Sequence, residues 1–483
     1  MIVKGYIFSI LYAIICIVCA VLLSKLGMPK KFTRKFIHIF VGFEWVILYH
    51  YMGAGSVHFL LVCLLFLALL TVEYKLKFVP AMSSDSDNAP GTVYYAVAMS
   101  VMAAVTVFAS DMILPFGVGV FCTSLGDGLA AVVGQAVRSN NPKIWGSKTL
   151  LGSFTCLIVC FFVPFFFNLI YGMGLNVWHC LVIAFFAFEV ELFMGFGLDN
   201  IAMTLASAAL THALMFLPGA MNYLVPIVIT PLIIAFAYRK RALTIKGISL
   251  AVILDLIISV SLGNFGFTVL ITFFIGSIGV DKLKKHYKKK KNKIEIDREK
   301  RGDCRDGVQV LSNGLVASLC ALAYLFTSNE LFVFAFIGAL AEAFADTAAS
   351  GIGFMSKSTF DPFRFERCEK GISGGVSPLG TLAALMASFV VSLVAFAFGE
   401  ITVLQMLLIS ASAFLGAVFD SFLGSLFQAK YKCPVCSAIV EKEMHCDTIT
   451  EKYRGIRIVT NDLVNLLSTL FSATVSAVLL WLL

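Results

Sequence analysis

The sequence predicts an all-α polytopic membrane protein, with about sixteen transmembrane helices arranged as two parallel eight-helix repeats and the N-terminus outside. Three observations carry this. Hydrophobic residues make up 59% of the chain, charged residues 14%, and mean hydropathy is +0.91, whereas soluble domains carry roughly 25% charged residues. The apolar runs are long and unbroken, which suits helices, because strands of a membrane barrel would alternate over about ten residues. Finally, one polar arrangement occurs twice. Ser124-Leu-Gly-Asp127-Gly128 is followed by Gly146-Ser-Lys148-Thr149-Leu-Leu-Gly152-Ser153, and far downstream Ala343-Phe-Ala-Asp346 is followed by Gly374-Gly375-Val376-Ser377-Pro-Leu-Gly380-Thr381.

Spans are expected near 6–23, 36–53, 56–73, 93–109, 112–137, 149–171, 178–196, 200–217, 222–238, 245–262, 264–281, 306–326, 330–352, 374–398, 402–428 and 460–482. The first run lacks a small-x-small cleavage site and carries more positive charge after it than before it. It therefore reads as a span and not as a leader. With the N-terminus outside, every Lys and Arg among the 37 except Lys4 falls on the cytoplasmic side, as the positive-inside rule requires. The expected location is a bacterial or archaeal cell membrane, with the sites facing the cytoplasm. Two domains are expected, 1–218 and 219–483, the second containing a basic linker over 282–305 and a Cys/His loop over 429–459. Most of the thirteen cysteines, such as Cys16, Cys63, Cys156 and Cys160, lie inside spans as small packing residues.

In chain order, Arg34 and Lys35 read as topology anchors, and His38 below them is placed to meet a phosphate. The segment from Ser83 to Gly91 is a polar turn. Asp127 lies near the cytoplasmic end of the fifth span, Lys148 opens the sixth, Glu189 and Glu191 fall in the seventh, and Asp199-Asn200 begins the eighth. An acid at the bilayer centre costs about 2.5–3.5 kcal/mol, so such residues face a cavity or a partner. Snorkelling and plain ion pairing explain any one of them, but explain several on one side of the membrane poorly.

In the second half, Lys282 to Lys293 holds eight Lys in twelve residues. It reads as a lipid anchor worth about 1 kcal/mol per charge, with no nucleic-acid partner. At an offset of eight spans, Asp346 matches Asp127, Gly374–Thr381 matches Gly146–Ser153, Asp420 matches Glu191, and Asn461-Asp462 matches Asp199-Asn200. Lys148 has no counterpart, Val376 standing in its place. Cys433-Pro-Val-Cys436 and His445-Cys446 have the ligand types of a small zinc knuckle, against a free-thiol loop.

These residues suit phosphoryl transfer, which needs a divalent ion on carboxylates, a cation on the phosphate and glycines that let backbone N–H groups approach. Asp127, Glu191, Asp199 and Asn200 are hard oxygen ligands for Mg²⁺, and Asp420, Asn461 and Asp462 repeat them in the second half. Lys148 is a point charge for a phosphate. Gly146, Thr149, Gly152 and Ser153, and likewise Gly374, Gly375, Ser377, Gly380 and Thr381, open helices whose free N–H groups favour anions. The spacing is not that of a Walker motif.

Arg34-Lys35-x-x-His38, Asp127-Gly128, Lys148-Thr149-x-x-Gly152-Ser153 and Glu191 with Asp199-Asn200 together resemble the phytol kinase and dolichol kinase family, over roughly residues 25–215. That family is distantly related to CTP-dependent phosphatidate cytidylyltransferases. Leu151 departs from it, since relatives often carry a Glu there. Residues 230–483 are similar to the plant phytyl-phosphate kinase family and its integral-membrane relatives. The match runs through Arg239 to Gly247, Arg305-Asp-Gly-Val-Gln309, Asn313-Gly314, Asp346, Gly371–Thr381, Gly416-Ala-Val-Phe-Asp420 and Asn461-Asp462-Leu-Val-Asn465.

The resemblance implies CTP, or another nucleoside triphosphate, phosphorylating a prenol in isoprenoid salvage. The resulting expectation is a fused enzyme taking a prenol to its monophosphate and then its diphosphate. Lys148, Asp127 and His38 would act in the first half and Asp346 in the second, with Arg305, Arg367 or Lys370 replacing the charge that Val376 lacks. The rivals are cytidylyl transfer to a lipid phosphate, and a lipid or small-molecule transporter.

Overall fold

The computed structural model describes residues 1–53, 55–77, 91–137, 141–195, 197–216, 219–290 and 304–483. Most of the expected polar turn Ser83–Gly91, the expected domain boundary at Pro218 and the end of the basic tract lie outside them. The chain forms two compact units, Met1–Pro231 and Leu232–Leu483.

In the first unit α1 (Ile2–Lys25), α2 (Lys30–Val41), α3 (Glu44–Met52), α4 (Val57–Leu76) and α5 (Gly91–Phe108) lead to α6 (Ile113–Phe121). A π-helical turn, Cys122–Asp127, joins α6 to α7 (Gly128–Ala136). The hairpin β1 (Lys143–Trp145) and β2 (Lys148–Thr149) then feeds α8 (Leu150–Tyr171), α9 (Val177–Phe193) and α10 (Leu198–Phe216). The helix α11 (Leu224–Arg239) carries the division between units.

The second unit continues with α12 (Ile245–Lys290), α13 (Gly307–Thr327), α14 (Leu331–Gly353), the hairpin β3 (Thr359–Asp361) and β4 (Glu366–Cys368), α15 (Pro378–Ala397) and α16 (Val403–Leu426). A small β module follows: β5 (Lys430–Lys432), β6 (Ile439–Val440), β7 (Met444–His445), β8 (Thr448–Ile449) and β9 (Glu451–Arg454). Its sheet order is β6-β5-β9, beside a separate β7–β8 ribbon. The helix α17 (Asn461–Trp481) closes the chain.

The protein is an integral, multi-pass, all-α membrane protein. Among the described residues twelve helices are long and apolar enough to cross a membrane. The expected spans 36–53, 178–196 and 200–217 are not in that set. The first is broken at Gly42 and Phe43 into α2 and α3. The second, α9, has only 17 residues, and the third, α10, carries Asp199, Asn200, Thr204, Ser207, Thr211 and His212. Spans 245–262 and 264–281 run together as α12 but meet at Gly263, with φ 58° and ψ −145°. A Cβ on Gly266 would stand 2.9 Å from Ile258 Cγ2, where a straight helix would separate those residues by about 12 Å. The chain doubles back there.

Burial grades the helices. In the outer helix α1 only 17% of the apolar window is buried, and Leu11, Ile14, Ile15 and Val18 lie exposed on its surface, as a lipid-facing helix requires. The segment Ser110–Ala136 is 72% buried and α14 is 78% buried. Each is the central helix of its unit, and each carries one of the two matched acids, Asp127 or Asp346. Small residues let neighbours approach α14 closely. A Cβ on Gly338 would fall 2.2 Å from Ser476 Oγ on α17, and one on Gly351 would fall 2.2 Å from Val280 Cγ1 on α12.

Both units share one local packing. Thr149 caps α8 by accepting from Gly152 N–H at 3.3 Å, and Ser377 caps α15 by accepting from Gly380 N–H at 3.1 Å. A Cβ on Gly152 would meet Ala130 O at 2.8 Å and Gly134 Cα at 3.4 Å; one on Gly380 would meet Ala349 O at 2.9 Å and Gly353 Cα at 3.2 Å. Ala130 and Gly134 follow Asp127 at the same offsets as Ala349 and Gly353 follow Asp346. In both, a short hairpin precedes the capped helix. Lys148 pairs with Trp145 in the first, while Val376 N–H donates to Phe360 O at 2.8 Å in the second.

Candidate active site

In the first unit α9, α10 and the π-helical turn converge on Lys148. The hairpin turns at Gly146, whose φ of 52° favours glycine, and β2 then delivers Lys148 to the entrance of α8. Its Nζ lies 2.9 Å from Glu191 Oε1 on α9, 3.5 Å from Asp199 Oδ2 on α10 and 3.9 Å from Asp127 Oδ1. Burial pushes the Lys148 ammonium down, but Glu191, Asp199 and Asp127 overcome it and hold the group above the usual lysine range.

The second Asp127 oxygen, Oδ2, takes Lys35 Nζ at 2.5 Å and lies 3.4 Å from His38 Nε2. Lys35 and His38 stand three residues apart on α2 and so share a face. The Thr123 carbonyl, 3.2 Å from His38 Nε2, can only accept. That nitrogen therefore carries the proton, and Nδ1 is the basic one. The π-helical turn, a feature often found at functional sites, sets Asp127 at this point.

Ser153 Oγ donates to Glu191 Oε2 at 3.0 Å, so both oxygens of Glu191 are held. Asn200 donates its amide to the Gly91 and Gly197 carbonyls at 3.1 and 3.3 Å, and its buried Oδ1 has no hydrogen-bond partner among the described residues. Three carboxylates and an orphaned amide oxygen are a donor set of the kind Mg²⁺ takes. The lysines gather these acids now, and a dication here would compete with Lys148 for the same oxygens.

The second unit has a cavity of about 730 Å³. Asp346, Asp420, Asn461 and Asp462 line it, together with Gly371–Ser377, Gly380 and Thr381. Gly374 is held by its φ of 88° and by Ser425, whose Cα would lie 2.6 Å from an added Cβ. A Cβ on Gly375 would stand 2.7 Å from Cys368 Sγ. Thr381 Oγ1 donates back to Ser377 O at 3.1 Å, and Ser468 Oγ donates to Asp420 Oδ2 at 3.0 Å. Asn461 Nδ2 donates to Asn465 Oδ1 at 3.3 Å, and Asn465 in turn donates to Asn313 Oδ1.

Of the three cations expected to replace Lys148, Arg305 lines the cavity, where it pairs with Asp281 at 2.8 Å; Arg367 and Lys370 are not among the described lining residues. Lys282, Lys284, Lys285 and Lys288 do line it, along with Lys240 and Arg241. Lys284 and Lys288 lie 5.1 and 4.8 Å from the centre of the Phe354 ring, a cation–π geometry. Within the tract expected to be a lipid anchor, these four described lysines thus line the cavity. Glu342, one turn before Asp346, is buried, and its Cγ packs where a Cβ on Gly416 would go. Its signal in the sequence is a single charge inside an Ala-rich apolar run.

In the β module Cys433, Cys436, His445 and Cys446 bring one ligand atom each within 4.8 Å of one another. Among the described residues no other set of three or more His, Cys, Asp or Glu side chains is gathered so tightly.

A family described as Integral membrane protein DUF92 matches residues 228–473. Protein PGR of Arabidopsis thaliana is 29% identical over 283 residues, covering 52% of this chain and 94% of the relative. Phytol kinase of Synechocystis is 27% identical over 207 residues, 41% of this chain and 85% of the relative. Protein VTE6, chloroplastic, of Arabidopsis thaliana is 25% identical over 217 residues, 44% of this chain and 62% of the relative. No solved structure matches the chain.

Proposed function

The chain belongs to the DUF92 family of integral membrane proteins, and from that premise we propose that it is a membrane-embedded phosphotransferase acting on isoprenoid lipids. It takes a prenol to its monophosphate in the first unit and the monophosphate to the diphosphate in the second, with a nucleoside triphosphate, CTP by expectation, as donor. Similarity to a phytol kinase supports the substrate class. The observation that carries the chemistry is Lys148, held among Asp127, Glu191 and Asp199 at the entrance of α8.

In the transfer the prenol oxygen bonds to the terminal phosphorus, the bond from that phosphorus to the nucleoside diphosphate breaks, and the diphosphate leaves. Lys148 draws the phosphate to the entrance of α8 by charge, where the positive end of the helix dipole also favours an anion. His38, with Nε2 engaged by Thr123, has Nδ1 to receive the hydroxyl proton. Magnesium, when bound by Asp127, Glu191 and Asp199, supplies charge neutralisation on the phosphates. In the second unit the acceptor is itself an anion, and the lysines along the cavity take the part of Lys148.

A turnover assay on the purified protein in detergent, with labelled CTP, Mg²⁺ and geranylgeraniol and separation of products by charge, tests the reading. Monophosphate followed by diphosphate, with release of CDP, is expected. Pyrophosphate release would identify cytidylyl transfer instead. No product with any prenol or nucleotide, together with substrate movement across vesicles, would replace the enzyme with a transporter.

A further inference from the structure

We propose that the β module between α16 and α17 is a zinc knuckle, held by Cys433, Cys436, His445 and Cys446, and that it fixes the glycine loop of the second unit's cavity. The proposal stands whether or not the kinase reading does.

Two tight turns present the ligands. In Cys433-Pro-Val-Cys436-Ser437 the Ser437 N–H donates to Cys433 O at 2.9 Å, Cys433 N–H donates to Ala438 O at 3.0 Å, and Ser437 has φ 55°. In the β7–β8 ribbon Cys446 and Asp447 have φ 50° and 56°. Positive φ at three non-glycine residues is strained backbone, a condition that clusters at ligand sites.

The four ligand atoms converge. His445 Nδ1 lies 3.5 Å from Cys436 Sγ and 3.3 Å from Cys446 Sγ. A tetrahedral zinc with Zn–S of about 2.3 Å and Zn–N of about 2.0–2.1 Å places such atoms about 3.5 Å apart. Three thiols and one imidazole suit zinc and not magnesium or calcium. The apolar core of the module is also small. Its buried apolar cluster is Ala429, Tyr431, Ala438 and Val440, and domains this small commonly depend on a metal or disulfides, while all of these cysteines are free.

From this module two side chains reach the glycine loop. Glu441, beside β6, accepts from Ser373 N–H at 3.0 Å and from Ser373 Oγ. Lys430 of β5, itself buried, donates to Ser373 O at 2.8 Å. Ser373 precedes Gly374 in the cavity wall, so the metal holds the module and the module holds the loop.

The first test is metal analysis of the full-length protein purified without chelator. About one zinc per chain is expected, and loss of it in Cys436→Ser and Cys446→Ser, both changed at exposed positions. A chain without zinc, or a Cys436→Ser variant with undiminished zinc, would overturn the site. Should those variants not fold, cobalt exchanged into the unaltered protein must give the thiolate charge-transfer and tetrahedral ligand-field bands; their absence would overturn it equally. For the loop, hydrogen exchange at 373–376 should speed up on chelation while the β1–β2 hairpin of the first unit does not change. Unchanged exchange at 373–376 would remove the bracing role.

Discussion

Lys148 Nζ and Glu191 Oε1 stand 2.9 Å apart, and this pair ties the hairpin before α8 to the last turn of α9. Replacing Lys148 by Ala leaves three carboxylates facing one another and removes the positioned cation. Prenol phosphorylation should fall by about 100- to 1000-fold, the usual cost of one pre-organised charge donor. Phosphorylation of added prenyl monophosphate should change little. Rates measured separately with the two acceptors check this, and equal loss of both would argue against separate sites.

Lys35 makes the shortest contact to Asp127. Breaking a buried pair from one side costs about 3–5 kcal/mol because a charge is left uncompensated. Lys35 is one-fifth exposed, which places Lys35→Met at the low end of that range. Adding Asp127→Asn removes the stranded charge, so the double variant should melt above Lys35→Met alone. Thermal unfolding in detergent reads both, and a double variant no better than the single would show that Lys148 already suffices for Asp127.

How much of this was legible follows from what each residue stands out against. Asp127, Lys148, Glu191 and Asp199 could be found because each interrupts or opens an apolar run, and the structure brings the three acids around the Lys148 ammonium. Lys35 stands in the Arg34-Lys35-x-x-His38 motif, but its contact with Asp127 was hidden, since a lysine at a span's cytoplasmic end is commonplace and only the three-residue spacing to His38 marks the shared face. The π turn before Asp127 leaves no trace in hydropathy. For the lysines of 282–288, composition gives the charge but not the cavity that four of them line. The span pair within 245–281 was legible, but the tightness of its reversal at Gly263 depends on backbone angles that only a glycine tolerates.

The matched glycines give a prediction that treats the units alike. Gly152→Ala would press a methyl to 2.8 Å from Ala130 O, and Gly380→Ala to 2.9 Å from Ala349 O. Both partners are helix backbone, which cannot move aside cheaply, and overpacking of this kind costs about 1–3 kcal/mol. Each variant should lower the melting temperature by a similar amount and slow its own unit's phosphorylation step. A harmless change at either position would mean that the two close approaches are not equivalent.

The lysines along the second cavity should act on the monophosphate step alone. Lys284 and Lys288 rest over Phe354, so Lys→Met at both keeps much of the apolar contact while removing two charges. An anionic acceptor drawn by these charges should then bind more weakly, raising KM for prenyl monophosphate while KM for the uncharged prenol holds. The effect should shrink with salt, because the Debye length is about 10 Å at 0.1 M and about 3 Å at 1 M. Steady-state kinetics at low and high ionic strength would separate this from simple misfolding, which would depress the rate at every salt concentration. A KM for the monophosphate that ignores both the substitutions and the salt would mean that these lysines only fasten α12 to α14.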